Sequence, residues 1–255
     1  MSLSWLDRLT LRVGPHTVAL ERKPWRGQAE RYSTAVPPAT VGQAAWQAAL
    51  DAASALLTRH APARSSLRII VANPFVRYAL LPWSEDILGN KARLTLANAL
   101  LRNSLGEQAA QFEIALDRPA FGMNGLAAGI HRGLLEGLRM VAKAGRLRLG
   151  SIQPRLIHDL ETCRASLNEG CVAFPDDGWL TLIGLQAGNL RLLRNHRTDS
   201  APDQPGSELL GMLASESAVI DTKILRVFSA RPWPATLGEW RIELQKPLTE
   251  NLSHA

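Results

Sequence analysis

Asp176-Asp177-Gly178 is the arrangement in this chain with the most direct route to chemistry. Two carboxylates at a turn between apolar strands can hold Mg2+, and a neighbouring glycine amide can border a phosphate. The same three residues are also ordinary turn formers that close a hairpin without binding anything. His158 and Cys163 lie five residues apart on one expected helix, and Cys171 follows in a strand. A structural metal centre needs four ligands in closely spaced pairs, and nothing completes this set, so the thiols are expected to be small buried fillers. Between His131 and Arg155 there are six basic residues against one acid, net +5. Arg132, Arg139, Lys143, Arg146 and Arg148 are therefore candidates for contact with nucleic acid, anionic lipid or an acidic protein. Their helical spacing without interleaved aromatics is a poor match to a base-stacking surface and also fits a solubilising helix face. Trp25, Trp83 and Trp233 sit beside prolines and can line a partner groove, Trp83 being the one taken as a candidate; the structural alternative is core or rim packing.

The rest of the chain is bare of catalytic signatures. There is no phosphate-binding Gly-x-x-x-x-Gly-Lys-Ser/Thr, no dinucleotide Gly-x-Gly-x-x-Gly, no Gly-x-Ser-x-Gly elbow and no His-Glu-x-x-His. With 255 residues the chain makes one large domain or two small ones. Hydrophobic residues at 46% and charged residues at 20% suit a folded globular protein and exclude disorder as the main state. Two cysteines exclude a disulfide scaffold. No apolar run approaches the roughly 20 residues that span a bilayer, and the first residues lack a signal-peptide pattern, so the cytoplasm is the expected location. The net charge of +6 is polarised, since residues 156–255 carry nine basic and thirteen acidic residues, net −4.

Positioning these residues falls to alternating strands and helices. Leu9–Val13 and Val18–Arg22 alternate apolar and polar residues around Gly14-Pro15-His16-Thr17, which predicts a hairpin. Tyr32–Val36 is a third strand. Thr40 is placed to cap a helix running to about His60. Leu67–Ala72 reads as a strand buried on both faces. Arg77–Leu81 is a strand, and Ser84 caps a helix to about Ser104 that ends at Gly106. Phe112–Leu116 and Leu126–Ile130 are strands. Arg132–Ala144 is an amphipathic helix with Gly145 as its left-handed cap. Leu147–Ile152 is a strand, and Pro154 starts a helix to about Asn168. A second meander follows over Cys171–Phe174, Trp179–Leu185 and Leu190–Arg194. Thr198–Gly206 reads as a mobile loop, Ser207 caps a helix to about Val219, and Ile224–Ser229 and Trp240–Leu244 close the domain before a frayed tail. Tight turns require antiparallel pairing, so mixed sheets are expected rather than one parallel sheet. Both ends of the chain share this plan, with no residue-level repeat.

After the N-terminal hairpin come Leu67-Arg68-Ile69-Ile70-Val71-Ala72-Asn73-Pro74-Phe75-Val76-Arg77-Tyr78-Ala79-Leu80-Leu81-Pro82, then Phe112–Leu116, then Leu126-Ala127-Ala128-Gly129-Ile130-His131 with its helix and Ala144-Gly145, and Gly170–Arg197. In this order the elements resemble those of the actin-like assembly proteins of type IV pili and type II secretion, namely PilM and the cytoplasmic domain of the secretion L subunit. The resemblance implies an α/β class with a duplicated ribonuclease-H-like, actin-like ATPase fold: mixed sheets, two lobes and a cleft. It implies a first lobe over 1–153, with about 74–130 as an inserted subdomain, and a second over 154–255. Nucleotide binders of the family carry an Asp-x-Gly in each hairpin turn. Gly14 and Thr17 match the first turn, but Arg12 stands where the acid is expected. Asp176 and Gly178, with Asp177, match the second. An arginine cannot hold Mg2+, so the resemblance implies a non-catalytic scaffold with neither metal nor cofactor, docking a short cytoplasmic segment of an inner-membrane assembly protein, with a second copy of the chain, in a homodimer, as a further expected partner. It would sit at the cytoplasmic side of the inner membrane and reach it only through that partner. The alternatives are an ATP/Mg-dependent actin-like switch and a basic nucleic-acid-binding protein.

Overall fold

The computed structural model describes residues 7–40, 42–163, 168–176, 178–198, 206–216, 220–229 and 232–245. Three strands open the chain: β1 (Arg8–Val13), β2 (Thr17–Lys23) and β3 (Glu30–Ala35). Apolar residues alternate along β1, so Leu9, Leu11 and Val13 are buried on one face while Thr10 and Arg12 point to the other. Helix α1 (Gln47–His60) and strand β4 (Ser66–Val71) follow. Then come β5 (Val76–Leu81), α2 (Asn90–Leu105), β6 (Phe112–Leu116), β7 (Gly125–His131), α3 (Arg132–Ala144), β8 (Arg148–Pro154) and α4 (Arg155–Cys163). The last part contains β9 (Gly170–Asp176), β10 (Trp179–Gln186), β11 (Asn189–Arg197), α5 (Gly206–Glu216), β12 (Ile224–Phe228), β13 (Thr236–Leu237) and β14 (Trp240–Gln245).

These strands form three sheets. The first has the order β3-β2-β1-β4-β8, and the second β11-β10-β9-β12-β14-β13. In each, an antiparallel meander is continued by two parallel strands: β4 and β8 beside β1, β12 and β14 beside β9. The two halves are thus built on one plan, as the sequence suggests. A third sheet, β5-β7-β6, lies in the chain between β4 and β8.

Helices α1 and α3 pack together over the apolar face of the first sheet. Gly137 permits their approach, because a Cβ there would run into Leu50. Helix α4 lies on the opposite face, in contact with β4 and β8. Its Leu156 and Cys163 share a core with Val172, Phe174 and Ile183 of the second sheet. The other face of that sheet packs Leu180, Leu182, Leu225 and Trp240 with Leu209 and Leu213 of α5. α4 is therefore the layer between the two large sheets.

Several local expectations are corrected. α1 starts at Gln47, not near Thr40, whose hydroxyl instead bonds the Gln43 side-chain oxygen at 2.9 Å. Ser84 caps only a single 3-10 turn, Glu85–Ile87, its hydroxyl accepting from the Asp86 amide, and α2 begins afresh at Asn90. Gly145 has φ −73°, and the left-handed residue after α3 is Arg146 at φ 53°. Pro154 ends β8 rather than opening α4. β4 is buried on both faces only toward its end, where Ile70 and Val71 lie; Arg68 is exposed. Residues 164–167, just short of the expected end of α4 near Asn168, most of the 198–206 loop, the end of the helix near Val219 and the tail beyond 245 fall outside the described residues.

Candidate functional site

The turn between β1 and β2 folds tightly on itself. The Gly14 amide donates to the Thr17 carbonyl at 3.0 Å, and a Cβ on Gly14 would stand 3.0 Å from that oxygen, so a side chain there is crowded. The Ala72 amide, just past β4, donates to Val13 at 2.9 Å and fixes this turn beside Asn73. In the second half, pairing of Asp176 with Trp179 leaves a two-residue turn containing Gly178 at φ +69°, a value glycine adopts without strain. The Gly178 carbonyl accepts from the Thr198 amide at 3.0 Å. Asp176 is described by its backbone, and Asp177 lies outside the described residues.

Between the two turns runs a buried polar network that the sequence does not announce. Asn73, 1% exposed, donates through Nδ2 to the Thr181 hydroxyl at 2.9 Å. Its Oδ1 accepts from the Tyr78 hydroxyl at 2.8 Å and from the Leu156 amide at 3.1 Å. Its carbonyl accepts from Asn195 Nδ2 at 3.1 Å, and the Thr181 hydroxyl donates to Asn195 Oδ1 at 3.0 Å. One asparagine thus ties the end of β4 to β5, to the first turn of α4, and to β10 and β11 of the second sheet. The available signals were a polar Asn-Pro closing an apolar strand and a lone Thr181 within the apolar run of β10.

Arg12 points from β1 toward α4. It pairs with Glu21 at 3.6 Å, and its buried Nε has no hydrogen-bond partner. Burial lowers its pKa most; Glu21 opposes this, while Arg155 and Arg31 add to it. Burial also holds the His158 imidazole below its ordinary value of 6.5, reinforced by Arg12, Arg68 and Arg155 against Glu161. The unfolded chain therefore takes up this proton first. Stability should fall as pH drops below about 6.5, and His158→Gln should flatten that dependence in thermal melts across the range. An unchanged slope would show that His158 is not the group responsible.

Cys163 donates through its thiol to the Asp159 carbonyl at 2.9 Å, and burial pushes that thiol up to about 11. Cys171 lies in the core on the other face of the second sheet. Among the described residues, no group of three His, Cys, Asp or Glu side chains converges on a metal-sized site.

The candidate partner-binding residues do not form one surface. Arg132, Arg139 and Lys143 lie on the exposed side of α3, Arg139 bonded to Glu113 at 3.0 Å. Arg146 and Arg148 are exposed just beyond. Trp83 is half-buried, edge-on to Phe121 with ring centroids 5.3 Å apart, and Phe121 is 80% exposed. The Trp83 amide donates to Asn124 Oδ1, and Asn124 in turn bonds Asn189 and Leu190 of the second half. Trp83 follows the strand end paired with Gly125, whereas Arg132 follows His131 at the far end of β7, about 20 Å away along the strand.

No protein-family model matches the sequence, and no curated protein is significantly similar to it in sequence. Solved structures are similar in fold over nearly the whole chain. The cytoplasmic domain of EpsL, an inner membrane component of the type II secretion system of Vibrio cholerae, shares 14% identity at a TM-score of 0.58, over 94% of this chain and 90% of that one. A PilM–PilN type IV pilus biogenesis complex shares 14% at 0.63, over 94% and 88%. A Bacteroides thetaiotaomicron protein with an actin-like ATPase fold and unknown function shares 10% at 0.61, over 95% and 91%. The chain has the actin-like, duplicated ribonuclease-H-like fold expected from its sequence. Among the described residues, no helix is long and apolar enough to cross a membrane.

Proposed function

We propose that the protein is a non-catalytic actin-like scaffold of a type IV pilus or type II secretion assembly platform. In this reading it lies on the cytoplasmic side of the inner membrane, either as a single chain or as a homodimer, and docks a cytoplasmic segment of a membrane assembly protein. The likeness in fold to EpsL and to PilM in its complex with PilN supports the setting. The observation that carries the non-catalytic part is Arg12. It stands where a nucleotide-binding relative would hold an acid for Mg2+, and it engages Glu21 instead. The Asn73–Thr181 bond adds to this by joining the two halves side chain to side chain between the hairpin turns.

Nucleotide titration tests this reading. With ATP and Mg2+, calorimetry should show no saturable heat and no phosphate should be released. Micromolar binding with turnover would instead favour an ATP-dependent switch built on Thr17, Asp176 and Gly178, with Asp176→Ala abolishing that binding. Docking is tested by co-expression with a single-span membrane protein encoded beside its gene, which should co-purify. Trp83→Ala should weaken that association if the Trp83–Phe121 pair is the anchor.

A further inference from the structure

The two faces of the first sheet differ in character. Leu9, Leu11, Val13, Leu20, Leu67 and Ile69 cover one face and are buried under α1 and α3. On the other face, residues paired across strands point the same way. Arg8 is aligned with Lys23 on β2 and, through Ser66, with Arg148 on β8. In the next row Thr10 is aligned with Glu21, then Arg31, and on its other side with Arg68. Arg12 lies in the third row, level with Ile70. Six cations therefore share this face with one acid, Glu21, among its described strand residues, net +5.

Parallel strands such as β1, β4 and β8 are usually covered on both faces. Here α4 covers only one end. At that end Ile70 is buried, and Gln153 donates to Glu161 of α4 at 2.9 Å. Toward the other end Arg8, Lys23, Arg31, Arg68 and Arg148 are all exposed. The five strands span about 19 Å at their usual spacing, more than one phosphate can bridge. Tyr32, the ring on the adjacent edge strand, belongs to the opposite face, where it stacks on His60 at 3.8 Å. Bases would find no aromatic platform among the described residues of the basic face. α4, backed by the second sheet, stands as a wall at one end of the face and obstructs a flat bilayer, whereas a single extended chain can lie alongside it.

We propose that this basic sheet face binds an extended acidic polypeptide segment, its carboxylates set across the arginines of β1, β3, β4 and β8. The proposal goes beyond the assembly reading and does not depend on it. A fluorescent deca-glutamate peptide is a direct probe, followed by anisotropy with the full chain at low salt. Saturable binding should weaken with added salt. It should weaken at least about tenfold in Arg31→Glu/Arg68→Glu, and likewise in Arg8→Glu/Arg148→Glu should the first pair fail to fold. Lys91→Glu/Arg102→Glu, of equal charge change at exposed positions of α2, should bind as the wild type does. Absence of binding overturns the proposal. So does equal weakening by all the pairs, which would mark a general charge effect. Tighter binding of a single-stranded oligonucleotide, or of anionic phosphatidylglycerol vesicles, at matched charge also overturns it.

Discussion

Asn73→Leu should destabilise the protein by about 4 kcal/mol, because two buried donors, the Tyr78 hydroxyl and the Leu156 amide, lose the oxygen they share. Each such donor costs about 1–3 kcal/mol when left unsatisfied. For a chain of this size that corresponds to a melting temperature lower by about 10 °C. Thr181 is better placed, since its hydroxyl still has Asn195 as acceptor. Tyr78→Phe removes one donor together with its need for an acceptor, so alone it should cost about 1 kcal/mol. The double variant should cost less than the sum, because the Phe ring leaves only the Leu156 amide stranded. Chemical denaturation of the four proteins measures this coupling. Strict additivity, or a loss below about 1 kcal/mol for Asn73→Leu, would mean that the network does not hold the halves together.

Trp240→Ala should be comparably severe, at about 3–5 kcal/mol. Trp240 is 2% exposed and shares the core of the second sheet with Leu209, Leu213, Leu225 and Val227. Its ring also lies beneath the Lys223 ammonium, with the nitrogen 4.9 Å from the ring centroid. Truncation would open a cavity between β14 and α5 that neither the sheet nor the helix can close without losing other contacts. Differential scanning calorimetry should show a melting temperature about 10 °C lower. A shift within about 2 °C would show that the site relaxes around the missing ring.

The elements were legible in the sequence where a single periodicity dominated. Arg132–Ala144 and Phe112–Leu116 have the bounds expected of them, one from a sharp apolar stripe and the other from alternation between turn residues. Starts and caps were less legible because tertiary contacts decide them. Trp46, immediately before α1, lies tilted against His131 with ring centroids 5.4 Å apart, and His131 caps α3 by accepting from the Gly133 amide. Neither contact is visible locally, and the side-chain logic that favoured Thr40 could not compete. The departure at Arg12 was readable, since it occupies a definite place before a hairpin turn. The Asn73 network was not, because its members are up to 122 residues apart and each looks like a turn or strand residue taken alone. The basic sheet face was hidden for the same reason: its arginines come from four strands, and only their register aligns them.

The parallel pair β4–β8 has a kinetic consequence. β4 ends at Val71 and β8 begins at Arg148, with the whole third sheet, α2 and α3 between them. In the second half, β12 and β14 are separated only by residues 229–239. A nascent chain can therefore form the β1–β3 meander early, but it cannot seal β4 until β8 has emerged. Closure of so long a loop makes this the slow step of refolding, and until then the β4 edge is exposed to pairing with other chains.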